Sequence, residues 1–404
     1  MKCDRLIIGG GASGLFCAVQ AAWQGEEVIL CEHGKKCGQK LLITGKGRCN
    51  VTNNCDVATV MKNIPRNPKF MYSALSRFSP EDTMAFFGSL GVPLKTERGN
   101  RVFPVSDRAE DIRNALLNAC RDAGVRIVTD EITALITEEG RAVGARSETQ
   151  EYYAPKVVVA TGGKSYPVTG STGIGYKLAE SVGHRVTELT ASLAPVVCAE
   201  KDCAEMMGLS LRNCTLSLYG SGSKKPAFTE LGELLFTHFG VSGPLVLSAS
   251  AHIEGLSEPK LFIDFKPGLS EQKLDDRILR DIAEFPNRDL SNLLRKLLPA
   301  KAIPVILRRS GIDGFSKGNQ LTAEARQRLV SVLKGFELTV RGLRPVEEAI
   351  ITRGGVCVDE ISPKNMESKL VSGLYFIGEV LDVDAYTGGF NLQIAFSTAY
   401  AALG

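Results

Sequence analysis

The stretch DRLIIGGGASGLFCAVQAAWQGEEVILCE, residues 4–32, decides the fold. Asp4 to Ile8 reads as a buried strand, and Gly9 to Gly14 match G-x-G-x-x-G. A helix then runs to Gln24, Gly25 stops it, and a second strand follows at Glu27 to Cys31. Each glycine has a separate task. Gly9 permits the tight turn, Gly11 lets backbone approach a pyrophosphate, and Gly14 lets helix and strand pack closely. The helix opening at Ala12 and Ser13 directs unpaired N–H groups and a positive dipole end at the turn, and the Ser13 hydroxyl adds a donor. Glu32, closing the second strand, is placed to take the hydroxyls of an adenosine ribose and to repel a 2′-phosphate, so the turn binds FAD or NAD. The helix is apolar nearly all round and must be buried, with Trp23 read as core.

A long loop from His33 to about Cys55 follows, of the length that compact domains keep for function. Ser79-Pro80-Glu81-Asp82 opens a helix with a cap, a first-turn proline and an acid at the third position. Another helix is expected near 107–123. From Val125 short alternating strands appear, with a hairpin turn at Glu139-Gly140 and a buried run Val157 to Ala160 that ends in Thr161-Gly162-Gly163. Between about 189 and 345 the βαβ pattern lapses, and it returns at Ile350-Ile351 and Leu374 to Ile377 before a last helix from Asn391. The fold expected is α/β: a discontinuous Rossmann-type nucleotide domain, 1–188 with 346–404, interrupted by an insert at 189–345. The insert reads as β-barrel-like over about 189–268 and helical over about 269–335.

The far end of the chain separates FAD from NAD. Leu374 to Ile377 is an apolar strand ending in Gly378-Glu379, and an acid at a strand's carboxyl end can accept hydrogen bonds from a ribityl chain. Asp382 and Asp384 are secondary candidates for that role. Gly388-Gly389-Phe390-Asn391 then opens the last helix. Its free N–H groups, around Gly389, Asn391 and Leu392, suit the negative charge that a reduced flavin carries at its N1–O2 edge.

Composition sets limits. With 48 basic and 45 acidic residues the net charge is +3, so no global excess draws in nucleic acid or an anionic membrane, and neither is expected as a partner. The N-terminus carries no signal peptide and no apolar run is long enough to span a bilayer, which points to the cytoplasm. Eleven scattered cysteines, without a Cys-x-x-Cys pair, read as reduced thiols, and four isolated histidines give no metal site. Lys46 in Gly45-Lys46-Gly47 lacks the Walker spacing, and no second strand-G-x-G-x-x-G-helix unit offers a resident nicotinamide domain. In the long loop, Cys49 lacks a partner thiol, which leaves Arg48 and Asn50 as polar contacts. Arg48 and the insert's His238 are the candidates for an acid, base or substrate anchor.

The motifs resemble the BaiN/RdsA group of flavoproteins, which includes aminoacetone oxidases. The resemblance covers nearly the whole chain. It rests on Gly9 to Gly14, Gly38 to Asn53, Ala160 to Gly163, Phe236 to Pro244, and Gly378 to Asp382 with Thr387 to Gly389. It implies FAD as the bound nucleotide, held by Ser13 at the pyrophosphate, Glu32 at the ribose, Gln39 and Lys40 from the long loop, and Ile132 at the adenine. Thr161 and Gly162 would line the same crevice, with Glu379 at the linker and Asn391 and Leu392 at the isoalloxazine edge. The implied activity is electron transfer between a small organic substrate and NAD(P)H, as a transient co-substrate, or oxygen. A flavin-dependent RNA modifier and a non-catalytic flavin sensor are the alternatives; oligomeric state is not legible.

Overall fold

Arg5–Ile8 forms a strand because Leu6, Ile7 and Ile8 have room on both faces only in the middle of a sheet, and there they lie fully buried. The computed structural model describes residues 1–404. The chain divides into two compact units, Met1–Ser192 with Val346–Gly404, and Leu193–Pro345.

The first unit is built on a five-stranded parallel sheet. Its order in space is Leu374–Phe376, Lys156–Val159, Arg5–Ile8, Val28–Glu32, Arg126–Thr129. The chain leaves the first strand toward Val28–Glu32, while Lys156–Val159 pairs on the other side, so the strand order reverses between Arg5–Ile8 and Lys156–Val159. A reversal of that kind opens a crevice at the carboxyl ends of the strands, which is where ligands bind in open α/β sheets. Helix Ala12–Trp23 packs against the last helix, Phe390–Ala401, and Phe16 seals the contact with Phe78, Phe86 and Phe396. Trp23 departs from the expectation of a core residue. It sits in the last turn, where burial has run out, and is 52% exposed with its ring tilted against Phe86.

Local signals hold well. Ser79 and Asp82 make a reciprocal capping box ahead of helix Pro80–Ser89. The helix expected near 107–123 runs Ala109–Asp122. Glu139 and Gly140, both left-handed, turn the chain between strands Ala134–Glu138 and Arg141–Arg146.

The second unit is a closed six-stranded barrel, ordered Val196–Cys198, Gly240–Ser242, Phe228–Phe236, Ser210–Tyr219, Lys260–Asp264, Phe336–Leu343 and back to the first. Cys214, Leu216, Leu218, Leu261, Ile263, Phe336 and Leu338 fill it at alternate positions. The barrel does not end near 268. Its sixth strand follows the helices Glu271–Glu284, Ile303–Arg309 and Ala323–Lys334, so the helical piece interrupts the barrel just as the barrel interrupts the sheet. A strand whose partner lies across a whole helical segment is invisible to local periodicity, which explains the misplaced boundary.

Among the buried charged residues of the nucleotide unit, Arg5 has no exposure at all. Arg5 donates to Glu26 at 2.6 and 3.1 Å and to the carbonyl of Ala402 at 2.8 Å, tying the first strand to the end of the last helix. Lys156 also donates to Glu26 at 2.5 Å. Burial raises the Glu26 carboxyl, but the hydrogen bonds from Arg5 and Lys156 outweigh it and hold the group below the usual carboxylate range. That contribution is present above the unfolded carboxylate range and is lost as pH falls through the lowered value. Arg5→Ala should cost about 3–5 kcal/mol in urea denaturation at neutral pH, since Glu26 is left half-buried and poorly compensated. Its stability should also fall less than wild type's on acidification, and Arg5→Met should lose less than Arg5→Ala.

Candidate functional site

The crevice at the strand ends is built by four close approaches. A Cβ on Gly9 would lie 2.6 Å from the carbonyl oxygen of Ala160, so the ends of Arg5–Ile8 and Lys156–Val159, the first and fourth strands of the sheet in chain order, touch there. A Cβ on Gly14 would lie 1.9 Å from the Gly9 oxygen, so the helix seats directly on the turn. A Cβ on Gly378 would meet Ser13 Oγ at 2.7 Å, which brings the fifth strand's end onto the same turn. A Cβ on Gly389 would sit 2.4 Å from the backbone of Thr52, clamping the long loop to the last helix. Gly11 is the exception: nothing lies within 4 Å of where its Cβ would be, and its backbone is extended. The turn is therefore packed on both sides and open in the middle, as a phosphate cradle requires.

Glu32 is held over this turn, accepting from Gly10 N–H at 2.7 Å through Oε2 and from Gly34 N–H at 2.8 Å through Oε1. Ile132 lies buried just beyond the neighbouring strand Arg126–Thr129, where Asp130 N–H donates to the Glu32 carbonyl. Lys40 donates to Glu379 Oε2 at 2.8 Å and to Ser165 Oγ at 2.6 Å. Glu379 Oε1 accepts from Ser165 Oγ at 3.1 Å and from Thr352 N–H at 3.0 Å, and Thr352 Oγ1 accepts from the N–H groups of Lys164 and Ser165. Ser165 and Thr352 were not legible as site residues: Thr352 arrives on strand Ile351–Arg353, which pairs only with Thr190–Ser192, and Ser165 on the loop after strand Lys156–Val159.

Several buried polar atoms in this region have no hydrogen-bond partner: Gln39 Nε2, Asn50 Oδ1, Thr161 Oγ1 and Tyr176 Oη. An unmade hydrogen bond in the interior costs about 1–3 kcal/mol, so such atoms beside a crevice are open to a polar ligand. Tyr176, only 3% exposed, has its phenol pushed far above the usual range by burial and by the nearby Glu379 and Asp382 charges, so it keeps its proton.

Other predicted residues are engaged elsewhere. The Asn391 side chain clasps the loop before its helix, accepting from Ala385 N–H at 2.9 Å and donating to Ala385 O at 2.7 Å, with Leu392 half-buried beside it. Asp382 pairs with Arg66, and Asp384 accepts from Ser192 at 2.7 Å. Arg48 stacks on Phe103 and donates to Asp107 and Glu97, bracing strands Leu94–Glu97 and Arg101–Pro104. Cys49 is buried, and burial pushes its thiol up to about 12, which removes it from thiolate chemistry. His238 belongs to the barrel unit, where it is exposed with its ring edge-on to Phe239.

The fold and this crevice define the class: an FAD-dependent oxidoreductase on a Rossmann-type sheet. The chain belongs to the family described as HI0933-like protein Rossmann domain, which matches residues 3–403, and the resemblance read from its motifs holds. It is 33% identical over 404 residues to a ribosomal RNA dihydrouridine synthase of Haemophilus influenzae, covering 98% of this chain and 97% of that one. It is 31% identical over 402 residues to a 3-dehydro-bile acid delta(4,6)-reductase of Clostridium scindens, with the same coverage. In fold it is similar to the 3-ketosteroid delta1-dehydrogenase of Sterolibacterium denitrificans, with TM-score 0.53 and 14% identity, over 100% of this chain and 98% of that one. The exclusion of nucleic acid as a partner is withdrawn: a relative spanning nearly the whole chain carries ribosomal RNA in its name, and net charge is an average that says nothing of local surface. No helix is long and apolar enough to cross a membrane.

The cradle separates two glycine substitutions. Gly11→Ala should leave the stability of the flavin-free protein, read by thermal melts, within about 1 kcal/mol of wild type while the purified protein loses its yellow colour. Gly14→Ala should instead destabilise the flavin-free protein itself by more than about 3 kcal/mol, read by the same melts, because its Cβ would overlap backbone.

Proposed function

We propose that the protein is a reductase that binds FAD in this crevice, takes electrons from NAD(P)H and saturates a carbon–carbon double bond conjugated to a carbonyl. The observations that carry the cofactor reading are the unpartnered buried atoms on Gln39, Asn50 and Thr161 and the open face of Gly11. These residues fit the group. The Gly9–Gly14 turn and Ser13 would receive the pyrophosphate, Glu32 the ribose, Ile132 the adenine through its backbone, and the Lys40–Glu379 pair the polyol linker. The N-terminus of helix Phe390–Ala401 would face the ring edge, where its dipole favours negative charge. Bound FAD supplies a two-electron carrier that accepts hydride from a nicotinamide and gives it to an acceptor.

The protein's own part is positional and electrostatic. Lys40 neutralises Glu379 and holds Oε2, while Ser165 and Thr352 both hold Oε1, so the carboxylate presents a set orientation. The Asn391 amide holds the Ala385–Tyr386 backbone and thereby fixes the approach to the last helix. The Tyr176 phenol, which stays protonated at Oη, is a donor lacking an acceptor.

The relatives support the reaction class. Dihydrouridine is uridine whose ring double bond, conjugated to a carbonyl, has been saturated, and a delta(4,6)-reductase of a 3-dehydro-bile acid acts on double bonds conjugated to a ketone. One bond change, hydride to the far carbon and a proton to the near one, covers both names.

The test is an anaerobic titration with NADH and then NADPH, followed by a panel of conjugated acceptors: a cyclic enone, a 4-en-3-one steroid and a uridine-rich RNA. The expected result is bleaching of the oxidised-flavin bands by at least one nucleotide, and their return with one acceptor at equal loss of its double bond. Reoxidation by air alone, or bleaching by a small amine but by neither nucleotide, would overturn the reading.

A further inference from the structure

The net charge of +3 conceals an uneven distribution. From His33 to Cys55 the chain carries five Lys or Arg and no Asp or Glu. Two of the five are neutralised, Lys40 by Glu379 and Arg48 by Glu97 and Asp107, and Lys46 stands exposed without a carboxylate partner. The hairpin packed against this loop repeats the arrangement. Lys95 pairs with Asp107 and Glu97, whereas Arg98 and Arg101, at the tip between strands Leu94–Glu97 and Arg101–Pro104, are exposed and meet no carboxylate. Arg101 Nε donates to the Arg98 carbonyl at 3.1 Å, holding the two together. Phe103 joins them to Lys46: Arg101 lies over its ring at 5.9 Å, and the Cα of Gly45, next to Lys46, comes so close that a Cβ there would be 3.2 Å from the ring.

One amide locates this basic tip relative to the site. Asn53 Nδ2 donates to Gly99 O and to Gly388 O, each at 3.0 Å, so the tip carbonyl and the residue preceding the last helix's cap are within about 6 Å of each other. Thr52 pairs with Val102, Asn53 pairs with Arg101, and Asn54 N–H donates to Asn100 O at 2.7 Å, which fixes the tip against the loop. Gly99 and Asn100 are both left-handed, turning the tip tightly. Three unneutralised cations, two on a braced turn and one on the loop packed against it, at the mouth of the helix that would face the ring, match a chain of phosphates whose attached base enters the crevice.

We propose that Arg98, Arg101 and Lys46 grip the phosphodiester backbone of an RNA strand beside the N-terminus of helix Phe390–Ala401. This names the substrate class for the reductase reading and rests on it only for what becomes of the base. Phosphate contacts position a strand without reading its sequence, and their signature is salt dependence.

The experiment measures binding of a labelled oligouridylate to the full-length, flavin-loaded protein by fluorescence anisotropy over a salt series. Wild type should bind, with affinity falling steeply as salt rises. The triple variant Lys46→Ala, Arg98→Ala, Arg101→Ala should bind about tenfold or more weakly, with a log–log salt slope shallower by about 2 for the three lost contacts to a single strand. The charge-keeping variant Lys46→Arg, Arg98→Lys, Arg101→Lys should retain most of the affinity, and the yellow colour and melting midpoint of each variant check its folding. Absence of RNA binding by wild type overturns the proposal, as does an unchanged slope in the triple variant. It is also overturned if that variant binds RNA normally and loses only its preference between NADPH and NADH, which would assign the cations to a 2′-phosphate. Turnover of a small conjugated acceptor without RNA binding sinks the grip and leaves the reductase reading standing. RNA binding without any reoxidation by the acceptor panel does the reverse.

Discussion

Everything in the nucleotide unit depends on glycines in close contact at the reversal point of the sheet. Gly9 lies against Ala160, Gly14 against Gly9, Gly378 against Ser13 and Gly389 against Thr52. No side chain larger than hydrogen fits at these contacts, so the strand ends, the first helix and the last helix converge closely enough to leave one opening, over Gly11. Polar groups for a ligand are then brought in by elements that have no choice of position. Glu32 is pinned by two N–H groups, and Glu379 by Lys40, Ser165 and Thr352.

The long loop joins this arrangement through a buried polar network and not through its own conformation. Gln393, fully buried in the last helix, accepts from Thr52 and Thr83 and donates to the Phe78 carbonyl and to Ser397. Each of its hydrogen-bonding sites is used, and a network so satisfied specifies one docking register for three segments at once. Asn53 extends the fastening to the hairpin tip, which is why a surface turn far along the chain ends up beside the last helix.

The sequence made the local features legible: the glycine turn, the capping box at Ser79, the hairpin at Glu139-Gly140 and the acid after the fifth strand. Each is written in consecutive residues. What it concealed depends on distant partners. Trp23 looked like core because its helix is apolar, and only the tertiary position of the last turn exposes it. The barrel's sixth strand, Phe336–Leu343, pairs with Lys260–Asp264 across an entire helical segment. Ser165 and Thr352 carry no motif. Net charge misled for a related reason: summing over the chain erased a loop with five cations and no anion.

The nesting of insertions has a consequence for biogenesis. On a ribosome the barrel residues 193–345 emerge, and can close on themselves, before Leu374–Phe376 exists to cover the edge of Lys156–Val159. Until then Val157, Val158 and Val159 present an unpaired, wholly apolar strand edge, the kind that recruits other strands. The nascent chain therefore has a window, between completion of Phe336–Leu343 and arrival of Leu374–Phe376, in which a finished barrel hangs from an unfinished sheet, and it is there that a chaperone would have most to protect.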